Sequence, residues 1–193
     1  MTETIQTTTS EKKQTIRWST LLIWAIVLGL IATLGWALLN TNAPRPEAGK
    51  PAPDFSMQFF DEYRWQEKPV ANLSDMRGNI IVMNFWASWC VECRLEAELL
   101  ENTWRKYQDQ GVIFLGIDYV DAEPNALAYL KEYDVTYPNA PDLGTDIARQ
   151  YHITGVPETF IIDRDGTIAH VQIGPINAAT LEGVLGKLLA QNN

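Results

Sequence analysis

A chain of 193 residues, 46% hydrophobic and with seven tryptophans, holds enough apolar side chain for one ordinary domain and its core. Its charge is uneven: residues 51–193 carry 10 Lys and Arg against 21 Asp and Glu, a balance of −11, while residues 1–50 carry 5 against 3. An acidic domain argues against nucleic acid and anionic lipid as partners, and two cysteines are too few for a disulfide framework.

Residues 1–17 are polar and Thr-rich with no apolar period, and are expected to be a disordered cytoplasmic tail. Residues 21–39 contain no charge and as a helix would cover roughly 28 Å, close to the hydrocarbon thickness of a bilayer. Trp18, Trp24 and Trp36 lie near the ends, where indole rings favour the membrane interface. The pattern predicts a single-pass transmembrane anchor over 18–39. A cleaved signal peptide is the alternative, with Thr41-Asn42-Ala43 as its cleavage site, but Pro44 directly after it obstructs a peptidase. Lys12, Lys13 and Arg17 precede the span, which puts the N-terminus in the cytoplasm and everything after residue 40 outside; Arg45 and Lys50 reduce that bias. Residues 40–50, with Pro44, Pro46 and Gly49, read as an extended tether to a domain over 51–193.

Within the domain, residues 51–57 open with Pro51 and Pro53 and then alternate, predicting a short edge strand. Residues 61–69 read as a loop and 73–78 as a single turn closing at Gly78. Residues 80–86 form a near-continuous apolar run, as in a strand buried on both faces of a parallel, helix-covered sheet. Residues 92–108 place Leu95, Leu99, Leu100, Trp104 and Tyr107 at helical spacing. A second buried strand over 112–118 and a helix over 125–133 follow, and this βαβα order lays parallel strands side by side. Residues 146–151 read as a short helix, 158–163 and 167–173 as a hairpin turned by Arg164-Asp165-Gly166, and 178–190 as a closing helix. The sum is an α/β fold with a central mixed sheet flanked by helices.

The chemistry concentrates in Asn84-Phe85-Trp86-Ala87-Ser88-Trp89-Cys90-Val91-Glu92-Cys93, which holds both cysteines of the chain. A strand that delivers Cys90 to the first turn of a helix sets its sulfur among unpaired N–H groups at the positive end of the helix dipole. Cys93 lies one turn on, within reach of Cys90, and the pair suits reversible thiol–disulfide exchange.

These residues, with Pro53-Asp54-Phe55, Leu73-Ser74-Asp75-Met76-Arg77-Gly78 and Gly155-Val156-Pro157-Glu158-Thr159-Phe160, resemble the thioredoxin fold. More closely they resemble the membrane-anchored TlpA/ResA/CcmG family of extracytoplasmic thiol–disulfide oxidoreductases. The resemblance implies that Cys90 is the exposed nucleophile, Cys93 the buried resolving thiol and Pro157 a cis-proline that leaves the Val156 backbone free for an extended substrate. It makes Glu96 the family's acidic residue one turn after the second cysteine, on the same helix face as Cys93. A partly desolvated carboxylate there could take the Cys93 proton. Thioredoxin keeps a buried Asp where this chain has Asn84, and an amide cannot act as a base, so that duty would move to Glu96. Trp86 is read as core and Trp89 as a partly exposed platform beside Cys90. Glu158 either adds negative potential near the cysteines or is a surface charge of the hairpin.

Negative charge from Glu92, Glu96 and Glu158 disfavours thiolate, and a less stable thiolate makes the dithiol a better reductant. The resemblance therefore implies a reductase of protein disulfides at the bacterial cell membrane, for example of the haem-attachment cysteines of apocytochrome c. It implies re-reduction by a membrane thiol–disulfide electron donor and no cofactor. Other classes fit less well. A peroxiredoxin wants Thr three residues before its cysteine, where this chain has Ala87. No zinc module matches the spacing of Cys93, His152 and His170. The alternative that stays open is a copper(I) chaperone using Cys90, Cys93 and His152, beside a non-enzymatic scaffold. Residues 119–142 contain no recognised substrate motif.

Overall fold

The structure, a computed structural model, describes residues 18–40 and 45–191, so the expected tail over 1–17 and part of the tether lie outside the described residues. The chain divides into two units, one ending at Pro44 and the other beginning at Arg45. In the first, α1 (Trp18–Asn40) runs for 23 residues without a charged side chain. Among the described residues no helix is long and apolar enough to cross a membrane.

The second unit runs β1 (Ser56–Gln58), β2 (Val70–Asn72), β3 (Ile80–Trp86), α2 (Val91–Tyr107), β4 (Val112–Tyr119), α3 (Glu123–Glu132), β5 (Asn139–Asp142), α4 (Asp146–Gln150), β6 (Glu158–Ile162), β7 (Ile168–Ile173) and α5 (Ala178–Ala190). Five strands form one sheet in the order β5-β4-β3-β6-β7, and β1 pairs with β2 beside it. β3, β4 and β5 are parallel, and β6 and β7 are antiparallel additions. Every residue of β3 is buried, as its near-continuous apolar run requires, because helices and loops cover both faces. Ile80 and Val82 pack with Cys93, Ala97 and Leu100 of α2 and Leu181 and Leu185 of α5. Ile81, Met83 and Phe85 pack on the other face with Phe55, Met57 and Tyr151. The Tyr151 ring centroid lies 5.0 Å from Phe160 and 5.7 Å from Phe85, and its hydroxyl donates to the Pro53 carbonyl at 2.7 Å.

Two strands were not foreseen. β2 is three residues at the margin of a predicted loop, too short to show alternation. β5 carries Pro141, which usually argues against a strand, but β5 is an edge strand, where a missing N–H costs no ladder bond. α3 begins at Glu123, ahead of the predicted start, with Pro124 in its first turn, where its missing N–H is harmless.

The close approach of β4 and β5 depends on Gly116. The Trp86 indole N–H donates to Asn139 Oδ1 at 2.9 Å directly above it, and a Cβ on Gly116 would overlap Asn139 Oδ1 and fall 2.8 Å from Trp86 Nε1. Gly116→Ala should therefore destabilise the domain by about 3 kcal/mol through overpacking and loss of that bond. Urea unfolding should show a lower midpoint at unchanged slope.

Candidate active site

Cys90 is the N-cap of α2: its backbone is extended (φ −82°, ψ 113°) and its Sγ accepts from the Cys93 N–H at 3.0 Å. Cys90 and Cys93 form a disulfide. The sequence reading expected an exposed Cys90, but it is only 5% exposed, against 1% for Cys93. The cover comes from the loop before β6, where Val156–Pro157 is a cis peptide bond and the Val156 carbonyl oxygen lies 3.5 Å from Cys90 Sγ. In the disulfide this is a contact, since the sulfur carries no proton. A Cys90 thiol could donate to that carbonyl, whereas a thiolate would face its negative end.

Glu96 is 2% exposed. Asn84 Nδ2 donates to its Oε1 at 2.8 Å and the Ile176 N–H donates to its Oε2 at 2.6 Å. The second Asn84 Nδ2 proton serves Thr159 Oγ1 at 3.0 Å. Burial pushes the carboxyl up to about 7, and the hydrogen bonds from Ile176 and Asn84 pull it partly back. Asn84, conspicuous in the sequence for being no acid, is thus the group that holds one. Ile176, in the loop before α5, gave no sequence signal.

The loop carrying Cys90 is fastened on two sides. Asp121 Oδ2 accepts from the Ser88 N–H at 2.6 Å, and Arg94 Nη2 donates to the Ser88 carbonyl at 2.9 Å. Arg94 also pairs with Glu132 at 3.0 Å and lies over the rings of Tyr129 and Tyr133. Tyr129 in turn donates to the Cys93 carbonyl at 3.0 Å and stacks on Trp86, which is buried as expected. Trp89 is 57% exposed, and its indole donates to the Val120 carbonyl at 3.2 Å.

Glu158 departs from the hairpin surface charge considered for it: it is 1% exposed and ion-paired with Arg45, which comes from the chain entering the domain. Among the described residues no group of three or more His, Cys, Asp or Glu is gathered that could hold a metal ion, Cys90, Cys93 and His152 included.

A further acid was missed. Asp118, at the end of β4, is 1% exposed, and its Oδ1 has no hydrogen-bond partner among the described residues. Burial, then the charges of Asp121 and Asp142, push its carboxyl up to about 8. A raised carboxyl binds its proton more tightly folded than unfolded. Its stabilising share is full below its unfolded value near 4 and is lost as pH rises through 8, by on the order of 1.4 kcal/mol per pH unit in between. Asp118→Asn should flatten this slope, leaving the variant more stable than the parent at pH 8 and nearly equal at pH 4, as read by denaturant melts at both.

The residues at 48–171 match the model of the AhpC/TSA family. The chain is 30% identical over 166 residues to the thiol-disulfide oxidoreductase ResA of a Bacillus cereus strain, covering 84% of this chain and 92% of that one. It is 36% identical over 159 residues to the thiol:disulfide interchange protein DsbE of Allochromatium vinosum, covering 79% and 82%. A crystal structure of a thiol:disulfide interchange protein of the thioredoxin family from Chlorobium tepidum TLS superposes with a TM-score of 0.64 at 27% identity, over 77% of this chain and 99% of that one. With the Cys90–Cys93 disulfide at a helix N-terminus on a thioredoxin-like sheet, the chain belongs to the AhpC/TSA family and, within it, to the thiol–disulfide oxidoreductases of ResA and DsbE type.

Proposed function

We propose that this chain works as a membrane-anchored, outward-facing reductant of protein disulfides, with Cys90 as nucleophile, Cys93 as resolving thiol and Glu96 as the base that serves Cys93. The observation that carries the reading is Glu96: a carboxyl on the Cys93 face of α2, buried, doubly hydrogen-bonded and poised near neutrality. In one turnover the Cys90 thiolate attacks a client disulfide and displaces one client sulfur as thiolate. Cys93 passes its proton to Glu96 and attacks Cys90 Sγ, which frees the second client sulfur. Two electrons pass to the client and the Cys90–Cys93 disulfide forms.

Direction follows from charge. Ionised Glu96, exposed Glu92 and the Val156 carbonyl all oppose a thiolate, while the nearby cations are already engaged, Arg94 by Glu132 and Arg45 by Glu158. A dithiol whose thiolate is unfavourable gives up its electrons readily. Val156 stays outside the β3–β6 ladder, which begins at the Phe85–Glu158 pair, so its backbone is available to an extended client beside Pro157. Trp89, the residue before Cys90, offers an exposed ring. Buried Glu158, its charge met by Arg45, contributes by its backbone rather than by side-chain contact.

The anchor over 18–39 rests on its uncharged sequence and the preceding Lys12, Lys13 and Arg17. It places the domain outside the bacterial cell membrane, where apocytochrome c haem-site cysteines are a fitting client and a membrane thiol–disulfide donor must restore the dithiol.

Equilibration against dithiothreitol buffers should give a potential nearer the thioredoxin range, about −270 mV, than the value of strong oxidants, about −120 mV. A potential at the oxidising end would reverse the direction. Glu96→Gln should cost roughly 100-fold in the resolving step at pH 7. The parent's rise in rate through pH 7 should disappear in the variant, as read by stopped-flow single turnovers across pH 5–9.

A further inference from the structure

β4 is paired along only half of its outer edge. Its odd-numbered residues face β3, since the Ile80 N–H donates to the Gly111 carbonyl at 2.9 Å. Its even-numbered residues face β5, since the Gly116 N–H donates to the Pro138 carbonyl at 2.9 Å. β5 begins only opposite Gly116, and Pro138, the residue before it, has no N–H with which to continue the ladder toward Phe114. The outward N–H and C=O groups of Val112 and Phe114 therefore have no hydrogen-bond partner among the described residues, although each residue is only 1% exposed. Folded chains rarely leave buried backbone groups unpaired.

Val112 and Ile113 line a cavity of about 340 Å³, within the range of roughly 300–1,000 Å³ typical of ligand sites. The cavity straddles the strand edge. Trp104 of α2 lines it and belongs to the core layer on one face of the sheet, its ring 6.1 Å from that of Phe114. Trp65 also lines it and packs against the layer on the other face. Trp65 is held by a tight turn in which the Lys68 N–H donates to its carbonyl at 3.0 Å. Next to it, Arg64 pairs through Nη2 with the exposed Asp61, while its Nε is buried and has no partner among the described residues.

We propose that this half of the β4 edge is a docking groove for an extended segment of a partner protein, alternating apolar residues with a single Asp or Glu and bound as an added strand. Donors and acceptors on alternate residues are the chemistry of a polypeptide backbone, which pairs with Val112 and Phe114 as β5 pairs with Gly116 and Asp118. Side chains of the added strand fall alternately on the two faces, one row against Trp104 and the other beside Trp65 and Arg64. The unpaired Arg64 Nε–H takes the carboxylate of the second row. Val112 lies six residues below Asp118, roughly 20 Å along the strand and away from the disulfide edge, so a docked segment leaves Cys90 open.

The test uses the full chain in detergent and a dye-labelled Val-Thr-Val-Glu-Val-Thr-Val peptide followed by fluorescence anisotropy. Two N-methylated forms carry the methyls either on the valine amides or on the Thr and Glu amides. One form should bind more than about tenfold more weakly and the other within about threefold of the parent peptide, because only one set of amides faces β4. Hydrogen exchange at the Val112 and Phe114 amides should slow about tenfold with peptide bound. Gln in place of the peptide Glu should weaken binding about fivefold, and Arg64→Gln should abolish that difference. Equal penalties for the two methylated forms, exchange unchanged at those amides because the cavity holds water only, or a Glu-to-Gln difference that survives Arg64→Gln would overturn the proposal. So would a peptide that slows reduction of a small aromatic disulfide by the dithiol, which places it at the disulfide edge. A dimer in sedimentation with those amides protected before any peptide is added would give the groove to a second copy and overturn the partner.

Discussion

The carboxyl of Glu96 is the point to which the rest of the site is fitted. Burying a carboxylate without partners costs several kcal/mol, so its position requires donors from outside its own helix. Asn84 supplies one from β3 and the Ile176 N–H another from the loop before α5. The acid thereby ties the central strand, the cysteine helix and the closing segment together. Two donors are enough to hold the anion and too few to make it permanent, because burial outweighs them. That balance is what a base needs if it is to take a proton from a neighbouring thiol and give it up again near neutral pH.

Asn84 shows how a strand position sets chemistry. With an Asp there, two carboxyls would share one pocket, and their repulsion would push one of them toward permanent protonation. The amide instead donates to Glu96 and Thr159 together and so commits both of its N–H groups to structure. Glu96 is then the acid of the pocket it shares with Asn84. Asp118, the other strongly raised acid, lies a strand away with Asp121 and Asp142 around it, and Asp121 spends its charge on the loop that carries Cys90.

Much of this was legible in the sequence because it follows from local pattern. The buried run of β3, the helical spacing in α2 and the Arg164-Asp165-Gly166 turn each name their own element. Cys90 and Cys93 stand at a spacing that carries meaning without coordinates, and the family resemblance singled out Glu96 and Pro157. What could not be read depends on contacts between distant segments. β5 needed β4 as a partner before Asn139-Ala140-Pro141-Asp142 could be a strand. Glu158 looked like a hairpin charge until Arg45 arrived from the far end of the domain. The low exposure of Cys90 comes from Val156, more than sixty residues away in sequence, and the Ile176 N–H is a backbone group that no side-chain pattern announces.

The covered sulfur bears on a single problem. On the reductase reading proposed above, the dithiol would lose its electrons to any disulfide that reaches it, so its value would depend on what can reach it. Cys90, nearly buried between the Cys93 N–H and the Val156 carbonyl, offers a small disulfide little to hold while it reacts. A polypeptide client gains contacts beyond its own disulfide, and that binding energy can be used to bring its sulfur into line with Cys90.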